Sequence, residues 1–260
     1  MDDLEKIQNE IQKLAYEYFR NVDCSEGFTY PLIPRISETY LKNRVVVMAQ
    51  ETNTWVGHID CPEKQEKFLG GCLAEYDRFV RDDVARHRGK LWQFSRSLYK
   101  RGLLDGCIQN GSMLSHCWMN LFCIEKSVYR NDKNKGHLPS QNRELANRVL
   151  EIQQDFIFQV LRLIQPKVIL ALIGNKNDDL LKKYALGTTN VKSISIDSSN
   201  AFGEHELAEL KVCENTNPLH ETLILRTYHP TYFMGRMKGR ERRALYRDLI
   251  YNRIQSFLGK

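Results

Sequence analysis

The chain alternates between stretches whose apolar residues recur every three or four positions and short blocks that are apolar throughout. Leu4, Ile7, Ile11, Leu14 and Tyr18 fall at such spacings, which predicts an amphipathic helix. About two heptads are too few for a free-standing coiled coil, so this helix is expected to pack on the body. Residues 25–40 carry Gly27, Pro31 and Pro34 and read as an irregular entry segment. Val45-Val46-Val47-Met48-Ala49 is apolar without alternation, the mark of a strand buried on both faces.

Residues 63–87 read mostly as helix, with Gly70-Gly71 as a weak point, and Gly89 separates them from a second helix over 91–100. A second strand is expected over 112–122. From Ser140, taken as an N-cap, to residue 164 the pattern is helical, and Pro166 ends it. A third buried strand spans 167–173 and closes at Gly174. A short helix over 177–184, strands over 191–196 and 222–227 and a helix over 240–257 complete the chain. This rhythm predicts an α/β fold whose central sheet carries helices on both faces. No linker interrupts it, so a single domain over 1–260 is expected, with 1–40 as an extension packed on it.

Ligands of such sheets sit outside the carboxyl ends of the strands. Three strand ends are rich in catalytic residue types: Gln50-Glu51-Thr52-Asn53, Asn120-Leu121-Phe122 and Tyr228-His229-Pro230-Thr231. The fourth, Gly174-Asn175-Lys176-Asn177, reads as a turn. A carboxylate at the position of Glu51 can activate a water or stabilise a cation; a solvated turn glutamate is the plainer alternative. An amide at Asn120 can read a base edge with one donor and one acceptor, or be a turn asparagine. The prolyl bond after His229 restricts its backbone.

Charge adds a partner. The chain has 38 Lys and Arg against 32 Asp and Glu, a net charge of +6. Arg226, Arg236, Lys238, Arg240, Arg242 and Arg243 are clustered with one acid, Glu241, beside the apolar loop Thr231-Tyr232-Phe233-Met234-Gly235. That combination suits a nucleic-acid backbone, with apolar tips able to wedge into a base stack; a solvated basic face is the alternative. With 42% apolar and 27% charged residues, a disordered or fibrous chain is excluded. The longest aliphatic run, residues 168–173, is six residues long. A membrane span needs about 20. The acidic, periodic start is unlike a signal peptide, so a cytoplasmic protein without membrane contact is expected. Seven scattered cysteines with no C-x-x-C argue against disulfides, a zinc ribbon and an iron–sulfur cluster, and no His or Cys spacing suggests a metal.

The strand ends, in this order, resemble the uracil-DNA glycosylase superfamily. Val45-Val46-Val47-Met48-Ala49-Gln50-Glu51-Thr52-Asn53 is similar to its first motif, a strand running into Gly-Gln-Asp-Pro or a relative. Asn120 in Trp118-Met119-Asn120-Leu121 matches its strand-end asparagine. Thr227-Tyr228-His229-Pro230-Thr231-Tyr232-Phe233 matches its closing His-Pro motif and intercalating loop. Gln165-Pro166 and the strand to Gly174 are similar to its proline-led strand before a glycine. The match covers about residues 43–257.

The resemblance implies a three-layer α/β/α sandwich around a short central, mainly parallel sheet. It also implies a monomeric, cofactor-free and metal-free DNA glycosylase that flips out a nucleotide and hydrolyses its N-glycosidic bond. Glu51 would orient the water and support the sugar cation, His229 would stabilise charge on the base, and Asn53 would complete the catalytic set. Asn120 would read the base, with Gln50, Trp55 and His58 around it. Phe233 would wedge the duplex, and Thr231, Tyr232, Arg236, Lys238, Arg240, Arg242 and Arg243 would hold DNA. Three positions depart from the pattern: Ala49 and Thr52 replace the motif glycine and proline, and Asn53 stands where the uracil-specific branch has a tyrosine excluding groups on C5 of the pyrimidine. The substrate expectation is therefore double: a 5-modified cytosine, such as a glucosylated hydroxymethylcytosine of phage DNA removed in antiviral defence, or uracil removed in repair. The alternatives are a DNA-binding module of the same fold without catalysis, and a small-molecule hydrolase.

Overall fold

A computed structural model of the chain describes residues 3–51, 57–60, 62–84, 89–104, 114–126, 138–199 and 201–259. Helix α1 (Asp3–Phe19) buries Ile11, Ala15 and Phe19 along one stripe. Phe19 meets Phe156 edge to face at 5.3 Å, so the N-terminal segment is docked on the body. After α2 (Glu38–Asn43), β1 (Val45–Ala49) is buried at every position. Helix α3 (Gln65–Phe79) runs unbroken through Gly70-Gly71. Gly71 is needed there, because the Tyr30 ring lies 2.3 Å from where its Cβ would be.

Helix α4 (Lys90–Lys100) leads towards β2 (Cys117–Asn120), shorter than the strand expected over 112–122, of which residues 112 and 113 lie outside the described residues. The helix expected over 140–164 is two: α5 (Arg143–Gln153) and α6 (Phe156–Ile164), separated at Gln154, whose φ is 43°. Asn142, rather than Ser140, caps α5; its side chain accepts from the amides of Glu144 and Leu145. β3 (Val168–Ala171) follows, then the short helix α7 (Asp178–Leu180), β4 (Val191–Ser195), β5 (Leu207–Val212), β6 (Leu223–Thr227) and α8 (Arg240–Leu258). The sequence pattern did not predict β5.

The sheet has six strands in the order β2-β1-β3-β6-β5-β4. The first four are parallel, and β5 and β4 add an antiparallel wing. Strand side chains divide strictly between the faces. Val46, Met48, Ile169, Ala171 and Ile224 pack with α1, α3, α5 and α6, whereas Val45, Val47, Leu170, Leu172 and Leu225 pack with α4 and α8. This is the expected three-layer α/β/α sandwich, each parallel strand covered on both sides. Beyond β2, Tyr76, Phe79, Trp92 and Trp118 form a separate aromatic cluster. From β1 the chain crosses to β2 on one side and returns to β3 on the other, which opens a crevice at their carboxyl ends.

Candidate functional site

The parallel register ends the strands together, with Ala49 beside Asn120, Met48 beside Ala171 and Ala171 beside Arg226. Backbone pairing continues past the strands. The Phe122 amide donates to the Gln50 carbonyl and the Gly174 amide to the Thr227 carbonyl, both at 2.9 Å. These bonds hold Gln50 and Tyr228 at the sheet rim. Gly174, at φ 71°, turns the chain away from β3 with Tyr228 packed against its α-carbon.

Above this rim lies a cleft of about 720 Å³, in the range of a ligand-sized site. It brings together Gln50, Glu51, His229, Thr231, Tyr232 and Arg236 from the expected set. Ser140, Asn175, Lys176 and Tyr228 also line it. Lys176 belongs to the fourth strand end, which the rule about carboxyl ends covers but whose turn-like composition hid it. Ser140 arrives from the turn before α5, and only tertiary structure brings it here.

Glu51 is half-buried, and both its oxygens are occupied by Ser140. The Ser140 amide donates to Oε2 at 3.1 Å and the Ser140 hydroxyl to Oε1. Each carboxylate oxygen retains acceptor capacity for a water or a cationic ligand. His229 is oriented by Thr231. The Thr231 amide donates to Nδ1 at 3.2 Å, and the Thr231 hydroxyl lies 3.0 Å from the same atom. A backbone N–H can only donate, so Nδ1 is the acceptor and the proton of the neutral ring sits on Nε2. Burial pushes the imidazole below its ordinary pKa of 6.5, which favours that neutral form. The Tyr228 and Tyr232 rings, 4.6 Å apart, form an aromatic wall beside it.

Several expectations need correction. Phe233 is not a free wedge: it is fully buried, edge to face with Phe94 at 5.2 Å and stacked on Tyr246 at 5.1 Å. Its burial follows from the wide helical turn Tyr232–Arg236, which points it towards the core face shared with α8. Arg226 is no surface cation; it lies in β6, 1% exposed, ion-paired with Asp178 at 3.0 Å and donating to the carbonyls of Glu204 and His205. Arg242 lies 3.4 Å from Glu206 and over the Phe202 ring, and Arg243 donates to the Met237 carbonyl. Arg236, Lys238 and Arg240 are exposed.

Asn120 ends β2 as expected but does not line the cleft: it is 1% exposed, and its Oδ1 accepts from the Trp118 indole at 3.2 Å. Among the described residues its Nδ2 has no hydrogen-bond partner. His58 is exposed, in a β-bridge with Thr29 and away from the cleft walls. Asn53 and Trp55 lie outside the described residues. Among the described residues, no group of three His, Cys, Asp or Glu side chains could hold a metal, and no helix is long and apolar enough to cross a membrane. No protein-family model matches the chain, and no curated protein matches it.

Proposed function

We propose that the chain is a DNA glycosylase that hydrolyses the N-glycosidic bond of a flipped-out pyrimidine nucleotide. The observation that carries this reading is the meeting of Glu51 and a neutral, Nε2-protonated His229 in one cleft at the carboxyl ends of parallel strands. As the bond breaks, its electrons leave with the base, and negative charge grows on the base oxygen. The His229 Nε2–H supplies a fixed donor for that charge, and it needs no prior protonation. The sugar becomes cationic. Glu51, held by Ser140, offsets this charge and orients the water whose oxygen bonds to the anomeric carbon; the water's proton is taken up by the departing base. Lys176 and Arg236 at the cleft suit the phosphates flanking an extruded nucleotide.

Asn53 stands where the uracil-specific branch that the chain resembles has a tyrosine excluding groups on C5 of the pyrimidine. The 5-modified cytosine of phage DNA is therefore the first substrate to test, with uracil second. A specific observation favours a second reading, a binding module without catalysis: Asn120 is turned to Trp118 and lies off the cleft. Abasic-site formation on uracil-containing, plain and hydroxymethylated or glucosylated DNA decides between them, with Glu51→Gln as control. Release from one substrate by the wild type and not by the variant supports the glycosylase. DNA binding with no release from any supports the module.

A further inference from the structure

Tyr246, on α8, is fully buried, yet its hydroxyl has three partners. It donates to the Glu206 carbonyl at 2.6 Å. It also lies 2.6 Å from Thr227 Oγ1, which itself donates to the Tyr228 carbonyl at 3.3 Å. The Tyr228 amide donates to the Tyr246 hydroxyl oxygen at 3.4 Å. The ring makes contacts of its own. One face stacks on Phe233 with centroids 5.1 Å apart, and Phe202 meets it edge-on at 4.8 Å. Tyr228 and Phe233 bracket the turn that carries His229. One side chain from a helix therefore touches the chain just before His229 through its hydroxyl and four residues after it through its ring.

We propose that Tyr246 is a positioning residue that clamps both ends of the His229 turn. The proposal rests on the glycosylase reading for its kinetic consequence but not for its structural one. The direction of Nε2 depends on the backbone at 228 and 229, and the Thr231 contact fixes the ring only relative to that backbone. Without the hydroxyl, the Tyr228 amide loses its acceptor, and the near end of the turn is held only by the sheet pairing of Thr227 and its bond from the Gly174 amide. Errors of about 1 Å in such a group cost about 10²-fold in rate.

Tyr246→Phe keeps the ring and removes the hydroxyl. The expected result is a roughly 10- to 100-fold fall in kcat for abasic-site formation with KM little changed. Tyr251→Phe is the matched control: it removes another nearly buried hydroxyl of α8, one that contacts Ser97 away from the turn, and should leave kcat at the wild-type value. A second readout needs no activity. By NMR of the free protein, the His229 imidazole should titrate higher in Tyr246→Phe than in the wild type, and the Tyr228 amide should exchange faster. If Tyr246→Phe does not fold, Phe233→Leu releases the other end and should move the His229 titration the same way. An unchanged His229 titration and Tyr228 exchange, or a kcat loss matched by Tyr251→Phe, overturns the clamp. If the wild type releases no base from any DNA, the glycosylase reading falls, and the titration and exchange still decide the clamp.

Discussion

Ser140 grips Glu51 across 89 residues of sequence, with its amide on Oε2 at 3.1 Å and its hydroxyl on Oε1. The contact ties the rim of β1 to the turn that enters α5. It fixes the plane of the carboxylate while leaving acceptor capacity on each oxygen. A serine that would have served as a helix cap instead orients an acid, and Asn142 does the capping.

The first prediction follows from that grip. Glu51→Gln should retain DNA binding and lose about 10²-fold or more in the single-turnover rate of base release. Ser140→Ala removes the hydroxyl donor and keeps the amide, so its loss should be smaller, about tenfold, with the same DNA affinity. Full activity in Glu51→Gln would remove the carboxylate from the reaction.

Two buried histidines contribute to the pH response. Burial pushes His116 down to about 3 and His229 below its ordinary 6.5. Both folded-state values lie below the unfolded ones, so as pH falls the unfolded chain takes up protons first. Their contribution to stability is complete above about 6.5 and is lost progressively below it, for His116 down to about 3. His116→Gln should flatten the dependence of unfolding free energy on pH in that window, measured by urea unfolding at a series of pH values. The acid limb of kcat/KM, if it reports neutral His229, should lie below 6.5 and disappear in His229→Gln.

The corrected charge map alters the expected DNA surface. Arg243 is half-buried and donates to the Met237 carbonyl, whereas Arg236, Lys238, Arg240 and Arg242 face solvent, Arg242 with Glu206 3.4 Å away. Replacing Arg236, Lys238 and Arg240, the exposed three without an acidic neighbour, by glutamine should reduce the slope of log Kd against log salt by about 2–3, at about 0.9 per phosphate contact. Arg242→Gln should change that slope little. Equal slopes for the wild type and the triple variant would put the DNA on another face.

Sequence pattern revealed the layers well because both faces of the parallel strands are buried: an uninterrupted Val45–Ala49 fits only where neither face meets water. β5 escaped because Leu207-Ala-Glu-Leu-Lys-Val is built from helix-favouring residues, and its strand state comes from pairing with β4 and β6 on either side. The places of Gln50, Glu51 and His229 on the cleft were legible through the rule that ligand crevices open at strand ends. Phe233 was misread because an apolar residue in a loop beside a basic cluster has the same pattern whether it points to DNA or to the core. The deciding partner is Tyr246, which lies a turn and part of a helix further along the chain. Arg226 was miscounted for the same reason: a strand-interior arginine contributes to net charge wherever it points. Ser140 could be assigned to a helix end from its neighbours, but its contact with Glu51 is long-range and leaves no local trace.

Arg226 and Asp178 carry the last prediction. The arginine side chain is 2% exposed, its ion pair with Asp178 spans 3.0 Å, and two of its nitrogens donate to the carbonyls of Glu204 and His205. The pair therefore ties the helical segment after Gly174, which forms one wall of the cleft, to β6 and to the loop before β5. Desolvation raises the Asp178 carboxyl, and Arg226 opposes that rise. Arg226→Met removes the ion pair and leaves the carbonyls of Glu204 and His205 without their donors, so it should destabilise the fold by about 1–3 kcal/mol in urea unfolding. Asp178→Asn leaves the buried Arg226 cation with its two carbonyl acceptors but no counter-charge, so it should destabilise the fold as well. If the double variant is more stable than Arg226→Met alone, the penalty belongs to the stranded carboxylate. If the two are equal, it belongs to the lost carbonyl contacts, and the wall of the cleft is held by Arg226 without its acid.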